Sequence, residues 1–409
     1  MPQFPKGELA PADGLIPLQS AISSIDKTFH AYVHVPYCKA RCGYCDFNTY
    51  TSEEIGSSSQ GTFAQTLIKE IEFSFDVLEK SRIPARSLST VFFGGGTPTL
   101  LPASDLIAIL DKLKATFGFE PELDITTEAN PDSVDEEYLA KLKQAGFTRV
   151  SIGMQSAVPK VLAVLERTHN PDNVVKAIAA AKSVGLATSV DLIYGSPTET
   201  LDDWRQSLQA AIDLETDHIS AYSLIVEDGT KLARQIKSGQ LVEPDEDLHA
   251  DMYELAEQML SAAGFTNYEV SNWSKSVASR SAHNMAYWKS MDWWGYGPGA
   301  HSHIGGVRWW NVKNPAAYQD RINATVSPAL ERELIDEENR NIERVMLETR
   351  IAEGIDLVWL KEQGFASNRA VSELIAEELV DAKAVFRGII KLTLKGRLLA
   401  DLVVRKLIN

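Results

Sequence analysis

Three cysteines fall within eight residues, in the run His34-Val-Pro-Tyr-Cys38-Lys-Ala-Arg-Cys42-Gly-Tyr-Cys45-Asp-Phe47, and the chain has no others. An odd, clustered set suits metal binding better than disulfide pairing. Cys-x3-Cys-x2-Cys on a short loop can set three thiolates around one 4Fe-4S cluster. Three protein ligands on four irons leave one iron open, as a substrate-binding metal requires, whereas electron-transfer clusters are usually held by four cysteines. Lys39 and Arg41 can offset the negative charge. The plain alternative is zinc with His34 as fourth ligand. Zinc motifs usually pair two Cys-x2-Cys halves, and no second half is present.

Further polar residues stand where short apolar strands end. Gly94-Gly95-Gly96-Thr97-Pro-Thr99 allows close backbone approach to a ligand and offers N–H groups to a polar or anionic one. It lacks the Gly-Lys-Ser/Thr ending of a P-loop. Glu128 (Thr-Thr-Glu-Ala-Asn-Pro), Gln155 (Ile-Gly-Met-Gln-Ser) and Asp191 (Val-Asp-Leu-Ile-Tyr-Gly) are polar where the strand pattern asks for apolar residues. Buried carboxylates are costly unless partnered. Arg167 is the candidate partner, either within an interior ion pair or beside it at a ligand.

The elements that must position these groups alternate. Strands are expected at 31–35, 90–93, 124–127, 149–152, 188–193 and 218–223, and helices at 63–78, 103–117, 135–145, 173–184 and 201–214. A Ser/Gly-rich loop, 56–61, precedes the first helix. This alternation predicts an α/β fold, a partial parallel (β/α)6 barrel over residues 30–225. The cysteine loop then follows the first strand, at the rim where barrel chemistry sits.

Residues 1–29 carry four prolines and read as an irregular lead-in. Residues 226–335 hold a helix at 246–263 and an aromatic segment, 268–310, with six of the eight tryptophans, expected to form a concentrated aromatic surface. Residues 336–409 predict a small helical, winged-helix-like domain, with helices at 337–351, 368–379 and 398–407 and a strand at 388–394.

Composition bounds the functions. With 409 residues, 44% hydrophobic and 23% charged, the chain can build a large core. Its net charge of −16 lacks the basic footprint of a nucleic-acid binder and disfavours RNA modification. The longest uncharged stretch, 87–104, contains three glycines and two prolines and does not read as a membrane span. No secretory leader is visible. These features predict a soluble, cytoplasmic protein.

Cys-x3-Cys-x2-Cys after the first strand resembles the signature of radical S-adenosylmethionine (SAM) enzymes. With the other motifs, the sequence resembles their coproporphyrinogen-oxidase-like branch from about residue 30 to its C-terminus. The resemblance implies that the open iron chelates the amine and carboxylate of SAM, with one-electron cleavage giving a 5′-deoxyadenosyl radical. It implies SAM contacts from Tyr32, Tyr44, Gly95, Gly96, Thr97, Glu128, Gln155, Arg167 and Asp191. Arg167 would take the carboxylate and the acids the amine or ribose hydroxyls.

That branch contains oxygen-independent coproporphyrinogen III oxidases and heme chaperones. The oxidases carry a fourth cysteine two residues after the third, where this chain has Phe47, and a longer N-terminal extension than the 31 residues preceding Tyr32. The runs Cys45-Asp-Phe-Asn48, His283-Asn-Met-Ala-Tyr287-Trp288 and Gly297-Pro-Gly-Ala-His301 resemble the chaperones. The resemblance therefore implies heme contact by His283; a heme ligand needs flat apolar walls, which Tyr287, Trp293 and Trp294 can supply. It also implies delivery of heme to hemoproteins, membrane-bound respiratory enzymes among them. Coproporphyrinogen oxidation remains the alternative.

Overall fold

The computed structural model describes residues 7–51, 54, 61–167 and 169–409. The loop expected at 56–61 lies, but for Gly61, outside them, as do residues 1–6 of the lead-in. The barrel strands form because short β-branched and apolar runs are buried on both faces, as in parallel sheets. In order they are β2 (Phe29–Val35), β3 (Leu88–Gly95), β4 (Phe119–Ala129), β5 (Arg149–Gln155), β6 (Ala187–Tyr194) and β7 (His218–Ser223), each parallel to the next. Amphipathic helices connect them. In Phe63–Lys80, Phe63, Leu67, Ile71, Ser74 and Leu78 recur at helical spacing and are buried. Asp135 caps Glu136–Ala145 by accepting from the Tyr138 N–H, and Gly146 ends that helix at φ +106°.

The sheet is larger than the alternation predicts. Before β2 lies β1 (Glu8–Leu9). After β7 come β8 (Thr266–Glu269), β9 (Asn272–Ser274), β10 (Asp292–Tyr296), β11 (His301–Ile304), β12 (Val307–Asn311) and β13 (Ala329–Leu334). The hydrogen-bonded order is β1-β13-β12-β11-β10-β2-β3-β4-β5-β6-β7-β9-β8. Strand β10 runs parallel to β2, with Gly295 opposite Tyr32, and adds a seventh parallel strand from the aromatic segment. Its fully buried Asp292 is held by Arg86 at 2.8 Å and by the Gly305 N–H at 2.9 Å. Residues from each of β2 to β7 line one cavity of about 820 Å³, so the sheet curves around it.

Three expectations need correction. The lead-in is not wholly irregular: β1 pairs with β13, and Leu18–Ser23 is helical. At the edge, a Cβ on Gly7 would lie 2.5 Å from the Arg332 carbonyl, so glycine permits this close approach. The aromatic segment is not a surface, because Trp273, Trp294, Trp309 and Trp310 are buried and the Trp294 and Trp309 rings meet edge to face at 4.9 Å. The strand expected at 388–394 shrinks to Ile389–Ile390, antiparallel to Ile355–Asp356. Thr393 there starts a new helix, accepting from the Gly396 N–H. Around this pair a separate apolar cluster joins Val345, Leu360, Leu374, Val403 and Leu407.

Candidate functional site

The cysteine loop is closed at its base. Tyr37 bridges Tyr50, the Cys38 N–H donates to the Tyr50 carbonyl (3.0 Å), and the Tyr50 N–H donates to the Pro36 carbonyl (2.7 Å). The Asn48 amide reaches the carbonyls of Pro298 and Lys313, both at 2.9 Å. The Gly297 turn is held in place by the fully buried Glu70, which accepts from the Gly297 N–H (2.8 Å), the Asn311 amide (2.9 Å) and the Tyr318 hydroxyl (2.5 Å). The Cys-Asp-Phe-Asn and Gly-Pro-Gly motifs, some 250 residues apart, are thus two halves of one clamp on the loop.

Cys38, Cys42 and Cys45 are half-buried and all line the cavity. Burial and the two neighbouring thiols push the Cys38 thiol up to about 12, and burial raises Cys45 as well. Crowded thiols that resist ionising alone are neutralised together by a multivalent centre. Among the described residues, no three His, Cys, Asp or Glu side chains converge as a single metal ion requires. His34 is committed elsewhere, its Nδ1 to the Tyr32 hydroxyl (3.0 Å) and its Nε2 to the Asn48 carbonyl (2.9 Å). The zinc alternative thereby loses its fourth ligand. Three thiols on one loop beside a large open cavity suit a polynuclear cluster with one exposed iron.

The glycine run does something other than expected. Its N–H groups are already used: Gly95 donates to Glu128 (3.1 Å), Gly96 to the Val35 carbonyl (2.8 Å) and Thr97 to the Tyr37 carbonyl (2.8 Å). Gly95 sits at φ +113°. A Cβ on Gly96 would lie 2.5 Å from the Tyr37 carbonyl and 2.9 Å from Cys38 Sγ. The glycines therefore let β3 pack directly on the cysteine loop. Gly96→Ala is expected to push that loop outward and to cost about 1–3 kcal/mol of stability, with a lower iron content after anaerobic reconstitution. Denaturant unfolding and iron analysis check both effects.

Glu128, Asp191 and Arg167 line the same cavity. The interior ion pair considered from sequence is absent: Arg167 instead donates to Cys42 Sγ (3.5 Å) and to the Gly153 carbonyl (3.0 Å), and its Nε has no partner. Asp191 accepts from Ser151 at 2.8 Å. Burial raises the pKa of both acids, and the nearby Asp191 charge helps push Glu128 up to about 8. Gln155 occupies the left-handed region at φ 64°, beside a register shift in β5. A non-glycine residue held there is the local strain that accompanies functional sites. Arg167 and two carboxyls that form no direct ion pair with it suit a zwitterionic ligand.

The Glu128 shift has a pH consequence. Below about 8 the free carboxyl carries a proton, and a sulfonium or ammonium ligand favours its ionised form. Binding must then release that proton. Affinity for SAM is expected to rise with pH between about 6 and 8, by up to about tenfold per unit, and to level off above. Glu128→Gln should flatten the profile. Equilibrium binding across that range is the check.

His283 and Tyr287 share a face of the helix Ala282–Trp288, and both line the cavity. The open imidazole expected of a heme ligand is not what the fold presents. The ring is 2% exposed and both nitrogens are used, Nδ1 with the Thr90 hydroxyl (2.6 Å) and Nε2 with the Tyr287 hydroxyl (2.8 Å). It stacks on Phe92 at 5.2 Å. Burial holds its pKa well below 6.5, so the ring is neutral. Of the expected walls, Trp293 packs on Tyr287 outside the cavity lining and Trp294 belongs to the core.

The cavity lining holds the thirteen residues expected from sequence to hold the cluster, SAM or heme: Tyr32, Cys38, Cys42, Tyr44, Cys45, Gly95, Gly96, Thr97, Glu128, Gln155, Arg167, Asp191 and His283. Sequence reasoning missed Phe92, Ser151, Ser220 and Tyr222. Each sits two residues from a recognised position or on the inward phase of a recognised strand, and that alternation was the available signal.

The Radical SAM superfamily model matches residues 32–211. The chain is 42% identical over 383 residues to the heme chaperone HemW of Mycobacterium tuberculosis (strain ATCC 25618 / H37Rv), covering 93% of this chain and 95% of that one. It is 32% identical over 375 residues to heme chaperone HemW of Bacillus subtilis (strain 168), covering 91% and 97%. The structure of coproporphyrinogen III oxidase (HemN) from Escherichia coli, a radical SAM enzyme, is similar with a TM-score of 0.79 at 20% identity, covering 95% of this chain and 92% of that one. At that identity the likeness speaks to the fold.

Proposed function

This chain belongs to the HemW family of heme chaperones within the radical SAM superfamily, and we propose that it holds a 4Fe-4S cluster and SAM in its barrel cavity and carries heme to hemoproteins, respiratory ones among them, in the cytoplasm. The observation that carries the reading is a cavity lined by three thiols of one loop together with Arg167, Glu128 and Asp191, which form no direct ion pair with one another among the described residues. Among those residues no helix is long and apolar enough to cross a membrane.

Cys38, Cys42 and Cys45 hold the cluster. Arg167 orients the SAM carboxylate, and Glu128 and Asp191 take its amine or ribose hydroxyls. Gly95, Gly96 and Thr97 fix the cysteine loop against β3, with Tyr32 and Gln155 on the surrounding wall. Tyr44 packs against the apolar cluster that contains Leu224 and Leu232 and excludes water from that side. When bound, the cluster and SAM supply an open iron and a sulfonium that one electron can cleave.

Phe47 favours the chaperone over the oxidase, because it stands where the oxidases carry a fourth cysteine. The test is one anaerobic incubation of the reconstituted chain with SAM, a strong reductant and coproporphyrinogen III, followed by separation of the tetrapyrroles. The expected result is an intact cluster and no protoporphyrinogen. Protoporphyrinogen formed over many turnovers would make the chain an oxidase.

A further inference from the structure

Five side chains form one hydrogen-bonded row between the surface and the cavity. The hydroxyl of Thr28, exposed just before β2, lies 2.7 Å from His30 Nε2. His30 Nδ1 lies 2.8 Å from the Thr90 hydroxyl, which lies 2.6 Å from His283 Nδ1. His283 Nε2 lies 2.8 Å from the Tyr287 hydroxyl. His283 and Tyr287 line the cavity, while His30 and Thr90 are buried in β2 and β3. His283 thus turns Nδ1 toward the strands and Nε2 toward its cavity-lining neighbour. Phe92, stacked on the ring at 5.2 Å, and His30, edge-on at 6.2 Å, fix its plane.

The row can run in two senses. Burial keeps both imidazoles neutral, so each has one N–H and one bare nitrogen. Each hydroxyl has one proton to give. In the first sense Tyr287 donates to His283 Nε2, His283 Nδ1–H to Thr90, Thr90 to His30 Nδ1, and His30 Nε2–H to Thr28. In the second every bond is reversed. Any other arrangement sets two protons or two lone pairs against each other. The senses differ only at their ends. The first uses the acidic phenol as donor and the aliphatic hydroxyl of Thr28 as acceptor, and each group is the better of the two in that role. Thr28, being exposed, can then donate to water.

We propose that Thr90, oriented by His30, is a positioning residue for heme binding: it accepts the His283 Nδ1 proton and so leaves Nε2 as the nitrogen offered to heme iron when Tyr287 turns aside. The inference rests on the heme-chaperone reading, with His283 as the residue that meets heme. A histidine that ligates a metal through one nitrogen is oriented by the acceptor on its other nitrogen. Here Nδ1 is sealed by buried side chains, whereas heme reaches Nε2 by displacing one hydroxyl.

The test is isotope-edited nitrogen NMR of the histidine rings in the full, cluster-reconstituted, heme-free chain, with hemin titrations of the same samples. The signals lost in His283→Gln assign the ring. The parent chain is expected to carry the His283 proton on Nδ1. Thr90→Val should move that proton toward Nε2 and weaken hemin binding by about tenfold to a hundredfold, with SAM affinity and cluster absorbance unchanged. Thr90→Ser keeps the hydroxyl and should restore both readings. His30→Leu frees the Thr90 hydroxyl to donate to Nδ1 and should move the proton as Thr90→Val does. A parent chain with the proton on Nε2 overturns the proposal, and this reading stands even where Thr90→Val does not fold. So does a folded Thr90→Val chain that keeps the parent's tautomer or binds hemin like the parent. A parent chain that binds no hemin overturns the heme-chaperone reading, and the role of Thr90 with it, whichever nitrogen carries the proton.

Discussion

Replacing Cys42 by alanine is expected to leave a folded protein that holds no iron–sulfur cluster. Among the described residues no other side chain is placed to replace a lost thiolate, since His34 has both ring nitrogens bonded and lies on the strand side of the loop. Cys42 is half-buried and outside the apolar core, so unfolding of the metal-free chain should change by no more than about 1 kcal/mol. The same holds for Cys38 and Cys45. After anaerobic reconstitution, each variant should lack the visible iron–thiolate charge-transfer absorption and the bound iron of the parent chain. An unchanged spectrum in any one of them would remove that cysteine from the site.

Arg167→Met and Asp191→Asn are expected to weaken SAM binding by on the order of a hundredfold each. Truncating one partner of a buried, hydrogen-bonded charge pair typically costs about 2–5 kcal/mol of affinity. The companion effect on stability separates this reading from an interior ion pair. Breaking a buried protein ion pair would destabilise the chain by about 3–5 kcal/mol. Here Arg167 contacts Cys42 and a backbone carbonyl, and Asp191 contacts serine. The ligand-free variants should therefore unfold within about 1 kcal/mol of the parent chain. Equilibrium binding of SAM and denaturant unfolding decide it. Large destabilisation with unchanged SAM affinity would make the two residues structural.

The legible parts were those whose signal is local. The spacing of Cys38, Cys42 and Cys45 alone put all three on one loop, which lines the cavity, and 31–35, 124–127 and 188–193 read as strands because short β-branched and apolar runs end at a glycine, a proline or a polar loop. Polar residues interrupting those strands pointed to the cavity wall, because a carboxylate at Glu128 or Asp191 needs a reason to be there.

What stayed hidden depends on contacts between distant segments. Asp292-Trp-Trp-Gly-Tyr296 does not advertise that it joins β2, since the cost of burying Asp292 is offset by Arg86, 206 residues away. Asn48 and Gly297 meet through a buttress on Glu70 that no spacing rule contains. The six clustered tryptophans read equally as surface or core, and only the packing of β9 for Trp273 and of β10–β13 for Trp294, Trp309 and Trp310 shows that four are interior. His283 was legible as a cavity residue, but its engagement on both sides by Thr90 and Tyr287 was not.

A heme chaperone must bind heme and pass it on. The most direct measurement loads the intact, cluster-reconstituted protein with one equivalent of hemin, removes the excess, and mixes it with membranes carrying a heme-free respiratory cytochrome. The expected result is a saturable heme complex whose absorbance decays as the cytochrome's own spectrum appears, and a chain left free to be loaded again. Hemin that never saturates a site, or that stays on the chain while the cytochrome remains empty, would contradict it.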